Sequence, residues 1–70
     1  MGLASVLEGA AALAASQGDS LTAARTWGTA ERLREETGSP ISPNEGSRKD
    51  RYVAMALAAA DEAAFDRAWR

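Results

Sequence analysis

The chain has 70 residues, room for one compact domain and no second one. A domain of this size buries only about 60% of the surface its unfolded chain exposes. Here 17 residues are alanine and there is neither cysteine nor histidine, so no disulfide framework and no ordinary zinc or haem site can act as a staple. A net charge of −2, from 10 acidic and 8 basic residues, argues against dominant nucleic-acid or membrane-surface binding. The bulky set reduces to the leucines plus Val6, Trp27, Ile41, Tyr52, Val53, Met55, Phe65 and Trp69. The start lacks the basic segment of a secretory signal, and the expected compartment is the cytoplasm.

Four helical segments are predicted in chain order. Over Leu3 to Ser16, the residues Leu3, Val6, Leu7, Ala10, Leu13 and Ala14 fall on one helical stripe. Gly18 suits the left-handed conformation that ends such a helix, and Asp19 or Ser20 can cap the next. That second helix, about Leu21 to Thr37, carries Ala23, Trp27, Ala30 and Leu33 on one side, with Arg32 and Glu36 spaced to pair on the exposed side; Gly38 stops it. The prolines at 40 and 43 disfavour helix in the residues before them. Ser42-Pro43-Asn44-Glu45 reads as a helix start, with serine as N-cap, proline at N1 and Glu45 closing a capping box. A third helix is expected to run to Ala60, with Glu45 and Lys49 spaced as an ion pair. A short fourth segment from Asp61 to Trp69 aligns Phe65 and Trp69.

The first two helices, joined by a tight glycine turn, resemble a tetratricopeptide repeat. Aligned on Gly18, the small residues Ala11, Ala23 and Ala30 and the large Leu7 and Trp27 fall where that repeat places small and large side chains. Ala14 stands where the repeat usually has an aromatic, and Glu35 replaces its closing proline. A plain antiparallel helical hairpin would satisfy much of the same pattern. The expected fold is therefore all-α, an antiparallel hairpin of tetratricopeptide type over 1–37, a Pro/Ser connector over 38–43 and capping helices over 44–70. Repeat arrays end in atypical helices with a more polar outer face, so one pair plus a cap reads as the tail of a longer array.

The order Leu7-Glu8-Gly9, Ala11 to Ala15, Gln17-Gly18, Ala23-Ala24-Arg25, Trp27-Gly28, Ala30-Glu31 and Leu33-Arg34-Glu35 resembles the terminal helices of bacterial ATPase-linked transcriptional regulators of LuxR or signal-transduction type. The likeness continues through Gly38, Pro40, Pro43 and the Ala63 to Trp69 ending. It implies a helical sensor or scaffold segment and nothing catalytic. Neither a P-loop pattern nor a recognisable helix-turn-helix is present.

Asp61, Glu62 and Asp66 lack the partners that acid–base chemistry needs and read as a solvated helix start. Arg48-Lys49-Asp50-Arg51 reads as an exposed face, since no second basic cluster or aromatic platform extends it. Glu8 and Ala12 stand where peptide-binding tetratricopeptide repeats often carry a carboxylate clamp, which argues against one here. The expectation is a non-catalytic interaction module without cofactor or metal, acting by apolar contact. Its partner is another copy or the rest of a larger regulator, met through Leu3, Val6, Leu7, Leu13, Trp27, Phe65 and Trp69; of the two tryptophans, Trp27 reads first as a filler between the helices of an alanine-rich core and Trp69, almost at the terminus, as the one that meets another chain. The alternatives are a ligand-sensing helical segment and a stand-alone small helical dimer of unrelated role.

Overall fold

A computed structural model describes residues 2–70. The chain forms four helices, α1 (Leu3–Ser16), α2 (Ser20–Thr37), α3 (Pro43–Ala58) and α4 (Glu62–Trp69), with no strand among the described residues. None of them is long and apolar enough to cross a membrane.

The turn signals act as expected. Gly18 adopts φ 83°, the N–H of Asp19 donates to the carbonyl of Ala14 at 2.9 Å and that of Gly18 to Ala15 at 3.1 Å, closing α1 in a Schellman arrangement. Asp19 caps α2 by accepting from the Thr22 N–H, and Gly38 ends it at φ 68°. Ser42 caps α3 with Pro43 at N1, and Asp61 caps α4 by accepting from the Ala64 N–H. The capping box is only half realised. Ser42 Oγ accepts from the Glu45 N–H at 3.4 Å, whereas the Glu45 carboxylate turns toward Arg34, 3.7 Å away. A cation on a neighbouring helix competes successfully with a backbone N–H for that carboxylate. Helix α3 also stops two residues short of the expected Ala60, because Asp61 begins a separate helix.

The α1–α2 hairpin is antiparallel, and its contact is built from small residues. Ala11, Ala23, Ala24 and Ala30 have no exposed surface, and Ala4 and Ala15 are nearly as deep. Alanines on both faces let the two backbones approach closely. The buried stripe of α1 is thus Ala4, Ala11 and Ala15, rotated away from Leu3, Val6 and Leu13, which point outward. Leucines on the inner line would hold the helices apart.

Trp27 fills the space that the alanines leave. It is 1% exposed, the one large side chain among the described residues withdrawn completely from water. Helix α3 lies over α1, α4 lies over α2, and both converge on this indole. Ala56 and Phe65 are buried beside it, with Tyr52, Val53, Leu57, Ala68 and Trp69 half-buried around them. Removing an aromatic from such a position costs about 3–5 kcal/mol, a large share of the total stability of a domain this small. The hydroxyl of Ser20 is buried without a hydrogen-bond partner among the described residues.

Helix α4 is fastened at its C-terminus by α2. The Arg32 guanidinium donates to the carbonyls of Arg70 at 2.9 Å and Trp69 at 3.4 Å, and so does not make the expected pair with Glu36. Gly28, one turn earlier, receives the same end of α4. A Cβ there would fall on the Trp69 carbonyl oxygen and within 2.8 Å of its carbonyl carbon. Gly9 has open space around it. Gly28→Ala is therefore expected to lower the melting temperature and release α4, read as a change in tryptophan fluorescence. Gly9→Ala should raise stability by about 0.5–1 kcal/mol, the helix-propensity gain alone.

Candidate functional site

The seven residues singled out in the sequence divide into two groups. Leu3, Val6 and Leu13 are 64%, 62% and 60% exposed on the outer side of α1, and Leu7 is half-buried beside them. Trp27 and Phe65, by contrast, are buried at 1% and 5% exposure and offer no contact surface: Trp27 fills the space between helices, the first of its two readings, and Phe65 does not form the expected contact face. Trp69 is half-buried rather than free. Its ring stacks on Trp27 at a centroid distance of 5.8 Å and an interplanar angle of 28°, with Phe65 tilted against it at 5.9 Å. An indole so close to another gains more from stacking and burial than from solvent.

The outer face of α1 is unusual in carrying no charge. The single ionisable residue of the helix, Glu8, turns inward to Arg34 of α2. Arg34 Nη2 donates to Glu8 Oε1 at 2.6 Å and Nε to Oε2 at 2.9 Å, a bidentate fork whose side chains are only 14% and 11% exposed. The same guanidinium donates through Nη1 to the carbonyls of Ser39 and Pro40, each at 3.2 Å, and through Nη2 to Ser5 Oγ at 3.4 Å. One residue thus joins α1, the end of α2, the connector and the start of α3. Sequence reasoning missed it. The available signal was Glu8 itself, a lone charge on an otherwise uncharged helix.

The hydrogen bond to Glu8 raises the Arg34 pKa above its ordinary value, reinforced by the Glu8 and Glu45 charges and opposed by burial. A raised folded-state value gives stabilisation that is present below the ordinary arginine pKa and lost only as pH rises through the higher folded one. The Arg34 cation therefore contributes no pH dependence in the neutral range.

Two concavities flank the core. A groove of about 270 Å³ runs between α1 and α3, lined by Ser5, Glu8, Gly9 and Ala12 on one side and Glu45, Arg48, Lys49 and Tyr52 on the other, with Trp27 and Ile41 also facing it. The expected Glu45–Lys49 pair does not form. Lys49 Nζ lies 5.4 Å from the Trp69 ring centroid, a cation–π contact, and Glu45 serves Arg34. A wider, more open cleft lies between α3 and α4, with Val53, Leu57, Phe65 and Trp69 inside and Asp61, Glu62 and Asp66 among its lining; Asp66 pairs with Arg70 at 2.9 Å. No group of three or more acidic, histidine or cysteine side chains converges on a metal position among the described residues.

No family model, no curated protein and no solved structure matches this chain.

Replacing Arg34 by alanine leaves Glu8 largely buried without a counter-charge, and denaturant unfolding should show a loss of about 2–4 kcal/mol. Arg34→Lys keeps the charge but not the fork and should recover only part of it. In a double-mutant cycle, Glu8→Ala with Arg34→Ala should show a coupling above about 1 kcal/mol.

Proposed function

We propose that this chain is a non-catalytic helical interaction module that works by apolar docking through the outer face of α1. The observation that carries the reading is the coincidence of three large aliphatic side chains, each about three-fifths exposed, with a helix whose only charge is turned inward. A helix that is apolar on its outer face as well as its inner one is normally buried on both, and a contiguous apolar face is the usual mark of a contact surface. The tetratricopeptide-type hairpin belongs to the same proposal. Its support is the set of alanines at the α1–α2 contact and Trp27 between the successive helix pairs. On this reading the chain is a terminal segment of a bacterial regulator's repeat array, supported by the residue order from Leu7 to Glu35 and the Ala63 to Trp69 ending.

At high dilution the chain should be retained on a phenyl matrix and enhance anilinonaphthalenesulfonate fluorescence. Val6→Glu and Leu13→Glu should each lose most of both signals while keeping the helical circular dichroism. Met55→Glu, which alters an exposed apolar residue of α3, should change little. Equal loss in all three would mean that α1 has no special role.

A second reading, ligand sensing, is favoured by the α1–α3 groove. Arg48 and Lys49 supply positive charge there, the Glu8 carboxylate is occupied by Arg34, and Ile41 and Tyr52 contribute apolar surface. The matching ligand is a small anion with a flat apolar body. Naphthoate should raise the melting temperature of the wild-type chain, and Arg48→Glu should cancel the rise. No rise at millimolar naphthoate would remove this reading.

A further inference from the structure

We infer that the occupant of the α1 face is a second copy of this chain, docked α1 against α1 in antiparallel orientation. This rests on the reading of that face as a docking surface and adds the partner and its geometry.

One line of exposed residues on α1 and its C-cap follows a 3–4–3–4 spacing: Leu3, Val6, Ala10, Leu13 and Gln17. That is the spacing of a two-helix seam, in which successive layers alternate between the two classes of inward position. In an antiparallel pair each layer joins one class to the other. Leu3 then meets Leu13 of the second copy and Val6 meets its Ala10, so a larger side chain faces a small one in the inner layers and the outer layers are closed by leucines. A parallel pair sets Ala10 against Ala10 and leaves a gap at mid-seam, which close packing disfavours. Antiparallel pairing also opposes the two helix dipoles.

Charge favours a second copy over an unrelated partner. A two-fold contact brings the same patch against itself, so any charge on it would meet its own sign or require an opposite one nearby. The seam residues themselves carry none, and Glu8, the one charge of α1, is held by Arg34; the nearest charges across the groove are those of α3. One flank is made of the exposed small residues Gly2, Gly9 and Ser16, and open space surrounds Gly9, which permits a close helix approach. The strip is the length of a 14-residue helix, about 20 Å, and about 10–12 Å wide. It therefore makes a small interface, below roughly 1,200 Å² in total. The dimer is accordingly weak and dissociates on dilution.

The test uses the full chain, which has no cysteine of its own. Light scattering from 10 µM to 1 mM should show the mass rising from one copy toward two, and Leu13→Glu should remain monomeric throughout with unchanged helicity. For orientation, equimolar Val6→Cys and Ala10→Cys chains are oxidised together and their disulfide dimers separated by intact mass. The mixed dimer should exceed the Ala10→Cys homodimer at least fivefold. Dominance of the Ala10→Cys homodimer would overturn the antiparallel arrangement. A wild-type chain monomeric at 1 mM would overturn the second copy as partner. If such a monomer still lost phenyl-matrix retention on Leu13→Glu, the α1 docking face would survive with a different occupant; if it did not, the docking reading would fall as well.

Discussion

Trp27 is the largest member of the buried cluster to which α1, α2, α3 and α4 all contribute, and the rest of the structure depends on its being there. The alanines of the α1–α2 contact bring two backbones together but contribute little buried area of their own. Their approach becomes stable because one large ring fills the volume above them, and that ring gathers Phe65, Trp69 and Ala56 from the other two helices. A short α4 of eight residues could not hold itself in place by propensity alone. It is held because Trp69 stacks on Trp27, Gly28 makes room for its last carbonyls, and Arg32 satisfies them.

The second organising feature is the allocation of charge. Arg34 draws Glu8 inward and takes up Glu45, so the polar stitching of the fold runs along one edge, where the connector returns from α2 to α3. Net stabilisation from a pair this deep is modest, because desolvation offsets much of the attraction. Its larger effect is specific: the fork sets the rotation of α1 about its axis. With Glu8 facing α2, the alanines face it too, and Leu3, Val6 and Leu13 are left on the water side. An apolar face is thus exposed as a direct consequence of how the one charge of α1 is satisfied.

The cleft between α3 and α4 follows from the same arrangement. Each of those helices packs on its own member of the hairpin, and the two diverge from each other beyond the aromatic cluster. The apolar surface left there, unlike that on α1, is bordered by acidic side chains, among them Asp66 in its pair with Arg70.

The all-helical class, the helix starts at Asp19 or Ser20, at Ser42 and at Asp61, and the glycine stops at 18 and 38 were legible in the residues alone. These depend on local backbone chemistry: a side-chain oxygen within reach of free N–H groups, a residue that tolerates positive φ, a proline at N1. The apolar stripe of α1 was legible too, but not which way it points, because a helix of alanines and leucines has two faces that periodicity cannot rank. That the smaller residues go inside follows from the packed hairpin, since helix separation is set by the bulk at the contact. Packing likewise places Phe65 in the core beside Trp27, draws Trp69 onto them, and takes Arg32, Lys49 and Glu45 from their neighbours one turn away. Partners one turn apart are worth a few tenths of a kcal/mol in water, so a carbonyl, an aromatic ring or a guanidinium brought close by folding displaces them, and that proximity exists only once all four helices have met.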